Sequence, residues 1–89
     1  MARLAAIEKG EYYPTPISVI DHIATYFTPP EGGSRGVIRL FDPCCGEGLA
    51  LAALGEVMKA KTTRPVETWG VEISPERAAE AGQRLDRVI

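Results

Sequence analysis

Between residues 40 and 54 the chain reads LFDPCCGEGLALAAL: an apolar run suited to a strand, a turn of an acid, a proline, two cysteines and two glycines, then an apolar run suited to a helix. A strand that hands over to a helix through a glycine turn belongs to a parallel sheet with crossover helices, because a parallel neighbour needs a long return. The remaining sequence supplies that return. VIRLF, residues 37–41, reads as a strand covered on both faces, and ETWGVEI, residues 67–73, as a second strand. Between them Leu49 to Lys61 suits a helix, with Leu51, Leu54 and Met58 on one side and Lys59 and Lys61 at the end where the dipole favours cations.

A last helix begins at SPER: Ser74 is a good N-cap, Pro75 suits the first position and Glu76 the first turn. Ala78, Ala81, Leu85 and Val88 would line its inner face, so the helix is expected to run to the end of the sequence. Ahead of the first strand, Thr15 would cap a helix starting at Pro16, with Ile17, Ile20, Ile23, Ala24 and Phe27 on one face and Pro29–Pro30 as its stop. Residues 1–13 read as an arm. The expected fold is α/β, helix then β-α-β-α, with two parallel strands forming part of a Rossmann-like domain across residues 1–89.

Composition narrows the classes. The 89 residues carry a net charge of −2 and 45% hydrophobic side chains, the range of one small globular domain. Such a domain hides only roughly 60 to 65% of its unfolded surface, so a two-stranded sheet with open edges is expected to self-associate. No block of like charge provides a nucleic-acid footprint, and no apolar run reaches membrane-spanning length. A cytoplasmic location is expected, without membrane contact. Cys44 and Cys45 are adjacent, which suits a reducing compartment better than a mutual disulfide, and the single histidine, His22, lies far from them. They read as loop residues, with no metal site and no catalytic residue assigned.

In an open α/β sheet a ligand binds beyond the carboxyl ends of the strands, where DPCCGEG stands. Gly46 and Gly48 permit positive φ and close approach of a ligand to the backbone. A dinucleotide fingerprint would need a third glycine where Leu51 stands. Asp42 and Glu47 also oppose a pyrophosphate: a like-charged pair at about 4 Å and an effective dielectric near 20 costs on the order of 4 kcal/mol. A cationic adenosyl compound, S-adenosylmethionine, suits the loop better, and Glu72 near the end of the second strand could accept from both ribose hydroxyls.

RLFDPCCGEGLALAAL followed by TWGVEISPERAAEAGQRL resembles the cofactor half of Rossmann-like S-adenosylmethionine-dependent methyltransferases, and GEYYPTP resembles the segment ahead of the glycine motif in adenine-specific DNA methyltransferases. The resemblance covers residues 10–89. It implies that Asp42, Pro43, Cys44, Gly46 and Gly48 wrap the methionine part, that Glu72 binds the ribose, that Ile73 packs on adenine, and that Tyr13, Thr15 and Pro16 close the other side. The double cysteine departs from the small or aromatic residues usual there. The Asp- or Asn-Pro-Pro-aromatic loop that holds the accepting amine in such enzymes does not occur in the sequence; TPPE, residues 28–31, reads as a helix stop. The chain is therefore expected to be a fragment, inactive alone, that meets a nucleic-acid substrate only through residues outside it. Two other classes stay open: a non-catalytic nucleotide-binding or assembly module, and a nicotinamide-dependent oxidoreductase, which Leu51 and Glu47 disfavour.

Overall fold

The computed structural model describes residues 14–29 and 36–89. In chain order these form α1 (Ile17–Ala24), β1 (Ile38–Asp42), α2 (Leu49–Lys61), β2 (Val66–Gly70), α3 (Pro75–Arg84) and β3 (Arg87–Val88). The strands make one parallel sheet in the order β1-β2-β3, an open α/β sheet of Rossmann-like kind. Among the described residues no helix is long and apolar enough to cross a membrane.

The register fixes the faces. Ile38, Leu40 and Asp42 pair with Val66, Thr68 and Gly70, and this set points toward the helices. Ile38, Met58 and Val66 form one buried cluster, joined by Phe27 from beyond α1; Cys45, Leu51, Ala81 and Leu85 form the other, joined by Val88. Burying a leucine side chain of this kind contributes roughly 1.5 to 3 kcal/mol, so these few residues carry most of the cohesion. Gly55 of α2 lets the helix lie directly on β2, since a Cβ there would stand 2.7 Å from Thr68 Cγ2.

On the opposite face stand Arg39, Phe41, Glu67, Trp69 and Arg87. Trp69 is half-buried on this face, with the Arg39 and Arg87 guanidinium groups 5.3 and 4.9 Å from its ring centroid. Its indole N–H donates to Glu67 Oε1 at 3.1 Å, which lets the ring sit half in water. Phe41 beside it is 57% exposed.

Several boundaries differ from expectation, among them that of β2, which ends at Gly70 rather than at residue 73. The last helix stops at Arg84 rather than continuing through Val88, because Asp86 docks on β2: its Oδ2 accepts from Thr68 N–H at 2.7 Å and Thr68 Oγ at 3.1 Å, while Asp86 N–H donates to Thr68 Oγ at 3.2 Å. The chain then becomes a third strand, and Val88 reaches the core from β3. At the other end, α1 begins at Ile17 with Pro16 at its N-cap and no side-chain cap, so Thr15 does not have the role its type suggests. Lys61 stands in the last turn of α2 as expected, and its ammonium also donates to the carbonyls of Ala24 (2.9 Å) and Phe27 (2.6 Å), closing the C-terminal end of α1.

Candidate functional site

β1 ends at Asp42 directly opposite the end of β2 at Gly70. Beyond these residues the two loops stay joined, because Val71 N–H donates to the Asp42 carbonyl (3.0 Å) and the Val71 carbonyl accepts from Cys45 N–H (2.9 Å). The glycine turn is thus stapled to the neighbouring strand. Within the turn Asp42 Oδ1 accepts from Cys44 N–H at 2.9 Å, the closed form that aspartate favours at a bend. Gly46 (φ 59°) and Gly48 (φ 85°) both take the left-handed conformation, so the chain reverses through residues with no Cβ to obstruct it.

The two glycines differ in surroundings. A Cβ on Gly48 would lie 3.1 Å from Leu85 Cγ and 3.2 Å from Ala81 Cα, so this glycine seats the start of α2 against α3. Gly70 has a similar duty that its sequence context does not advertise: a Cβ there would meet Cys45 Sγ at 2.6 Å and Leu85 Cδ1 at 2.9 Å. Arg84 Nη1 donates to the Glu47 carbonyl at 3.1 Å and ties the turn to α3 from the other side.

The cysteines separate. Cys44 is exposed, whereas Cys45 is 5% exposed inside the core cluster, where burial first, and then the charges of Asp42 and Glu72, push its thiol pKa up. Among the described residues no group of three or more His, Cys, Asp or Glu side chains is arranged to hold a metal ion.

Glu72 lies two residues past the end of β2, in the loop that leads to α3. Its side chain is only 8% exposed, and Oε2 accepts from Ser74 N–H at 2.7 Å and stands 3.4 Å from Arg77 Nε. Ser74 in turn caps α3, its Oγ accepting from Arg77 N–H at 3.5 Å. The carboxylate is therefore held by Ser74 and Arg77 through Oε2. Ile73 next to it is 94% exposed.

Of the sequence-derived residues, Asp42, Pro43, Cys44, Gly46, Gly48, Glu72 and Ile73 gather at one end of the sheet. Thr15 and Pro16 are exposed ahead of α1, whose C-terminal end is the one held by Lys61. Tyr13 lies outside the described residues. Val71, Gly70 and Arg77 are the residues that sequence reasoning missed. Arg77 stands in the first turn of a helix whose cap at Ser74 was legible, and a long side chain there folds back toward the residues preceding the cap. A cleft of about 290 Å³ beside the turn is lined by Glu47, Glu76, Arg77 and Glu80, three carboxylates against one guanidinium.

Parallel strands joined by helices on one face, with a glycine turn after the first strand and a held acid after the second, define a Rossmann-like α/β module. Within that class the whole chain, residues 1–89, matches the model of the family described as "Uncharacterised methyltransferase family (DUF6094)", and the protein belongs to that family. A search of the curated proteins finds no match.

Proposed function

We propose that this chain holds S-adenosylmethionine at the carboxyl ends of β1 and β2 and provides the cofactor-binding part of a methyltransferase acting on the N6 amine of adenine in DNA. Methyltransferase family membership supports the reaction class. The carrying observation is the Val71 staple, which keeps the Asp42 turn and the Glu72 loop side by side at one sheet end. When bound, the cofactor supplies an electrophilic methyl group on a sulfonium, which passes to an amine nitrogen as the S–C bond breaks and the amine proton departs.

The residues suit such a group. Asp42 and Glu47 at the turn favour a cation over a pyrophosphate, and in this reading they attract the sulfonium and ammonium charges. Glu72 Oε2 takes the contacts from Ser74 and Arg77, and in this reading the carboxylate also accepts from the ribose. Ile73 offers an apolar surface of the kind an adenine ring covers. Pro43, Cys44, Gly46 and Gly48 line the methionine side, with Tyr13, Thr15 and Pro16 assigned to the opposite wall by resemblance. Leu51 belongs to the buried core, which favours this reading over a nicotinamide dinucleotide. The adenine target rests on resemblance alone, and the base would have to be flipped from its duplex. A cytoplasmic location belongs to the same reading.

Titration calorimetry with S-adenosylmethionine, S-adenosylhomocysteine and NAD tests the proposal. Binding of the first two but not the third, weakened at least about tenfold in Glu72→Ala, is expected, the size appropriate to losing charge-assisted hydrogen bonds. Binding of NAD alone would overturn it. One observation favours a second reading, an assembly module: the sheet face bearing Phe41 and Trp69 is covered by none of the described helices.

A further inference from the structure

Beyond β2, Glu72, Ser74 and Arg77 form a closed ring of contacts. Glu72 Oε2 accepts from Ser74 N–H, Ser74 Oγ accepts from Arg77 N–H, and the Arg77 side chain returns to stand 3.4 Å from the same Oε2. The ion pair is well covered, with Glu72 8% and Arg77 26% exposed at the side chain. Charge in such a place is not a surface ornament: a carboxylate taken this far out of water is destabilised unless a cation and hydrogen bonds accompany it. Both partners act on one oxygen, and they act from the side of α3. The carboxylate is thereby held from that side through Oε2.

From this we infer that Arg77 is a positioning residue for ribose recognition: it orients Glu72 so that the carboxylate receives the ribose hydroxyls of an adenosyl ligand, while touching no part of that ligand itself. The inference rests on the cofactor reading given above. Arg77 then contributes to affinity only through Glu72. Its loss leaves the acid present but free to swing toward other donors, and a ligand without ribose hydroxyls has nothing to lose by that.

The test is titration of the full chain with S-adenosylhomocysteine and with its 2′,3′-dideoxy analogue, in wild type, Arg77→Gln and Arg77→Lys, with circular dichroism to follow folding. Arg77→Gln is expected to weaken S-adenosylhomocysteine about tenfold, a coupling ordinary for contacting charged residues, and to leave the dideoxy analogue within about twofold of wild type. Arg77→Lys, which keeps the charge on a flexible stem, recovers part of the loss. Equal weakening of both ligands would make Arg77 merely structural and overturn the inference, as would no weakening at all. A wild type that binds S-adenosylhomocysteine and loses it on Glu72→Ala, yet ignores Arg77→Gln, overturns this inference and leaves the cofactor reading standing. A wild type that binds neither ligand overturns both.

Discussion

At the scale of single residues, Cys45 joins the core to the site. Its thiol is held above the ordinary range by burial, with Asp42 and Glu72 adding to the effect, so the folded chain keeps the proton that the unfolded chain releases. The stability this provides is fully present below the ordinary thiol pKa, about 8.5, and is lost as pH rises through the higher folded-state value. Urea midpoints measured from pH 8 to 10 should therefore fall more steeply in wild type than in Cys45→Ala. Parallel curves would show that burial does not hold the proton. The sequence placed a double cysteine in a turn but could not say which one faces inward. That choice is made by the Val71 carbonyl, which draws in the Cys45 N–H, and by Gly70, whose missing Cβ leaves room for the sulfur.

At the scale of elements, the helices and two longer strands were legible because their signals are local: Ser74-Pro75 writes the start of α3, and the glycine turn separates β1 from α2. β3 was not legible. Ala78, Ala81, Leu85 and Val88 continue a helical spacing through a segment that turns extended, and only Thr68, distant in sequence, supplies the reason. Asp86 is the residue on which that override depends. Asp86→Ala removes the acceptor of Thr68 N–H and Oγ, and a loss of about 1 to 3 kcal/mol is expected from a partly buried donor left without its partner. Hydrogen exchange at the Thr68 amide and a denaturant titration check it; an unchanged Thr68 amide would mean that β3 holds β2 without Asp86. Glu72 was legible as an acid near the end of the second strand, but its engagement by Ser74 and Arg77 depends on how α3 leaves the sheet.

For the molecule as a whole, the layers are unequal. One sheet face carries α2 and α3, and the other shows Arg39, Phe41, Glu67, Trp69 and Arg87 without a described helix over them. The ion pair between Arg39 and Glu67 at 3.0 Å is more than a third exposed on both sides and adds little cohesion. Exposed aromatic surface of this kind favours association, since removing apolar area from water gives roughly 25 cal/mol per Å². Light scattering at rising concentration is expected to show species larger than one chain, and Phe41→Lys to shift them back toward the monomer. A wild type that remains monomeric at high concentration would remove the assembly reading.

The staple at Val71 is made wholly of main-chain atoms, and that has a bearing on how such a protein can change over time. Because neither bond depends on which side chain stands in the turn, Pro43, Cys44 and Glu47 can be exchanged without shifting the frame that carries them. Chemical preference at this end of the sheet can therefore drift by small steps while the scaffold beneath it stays put.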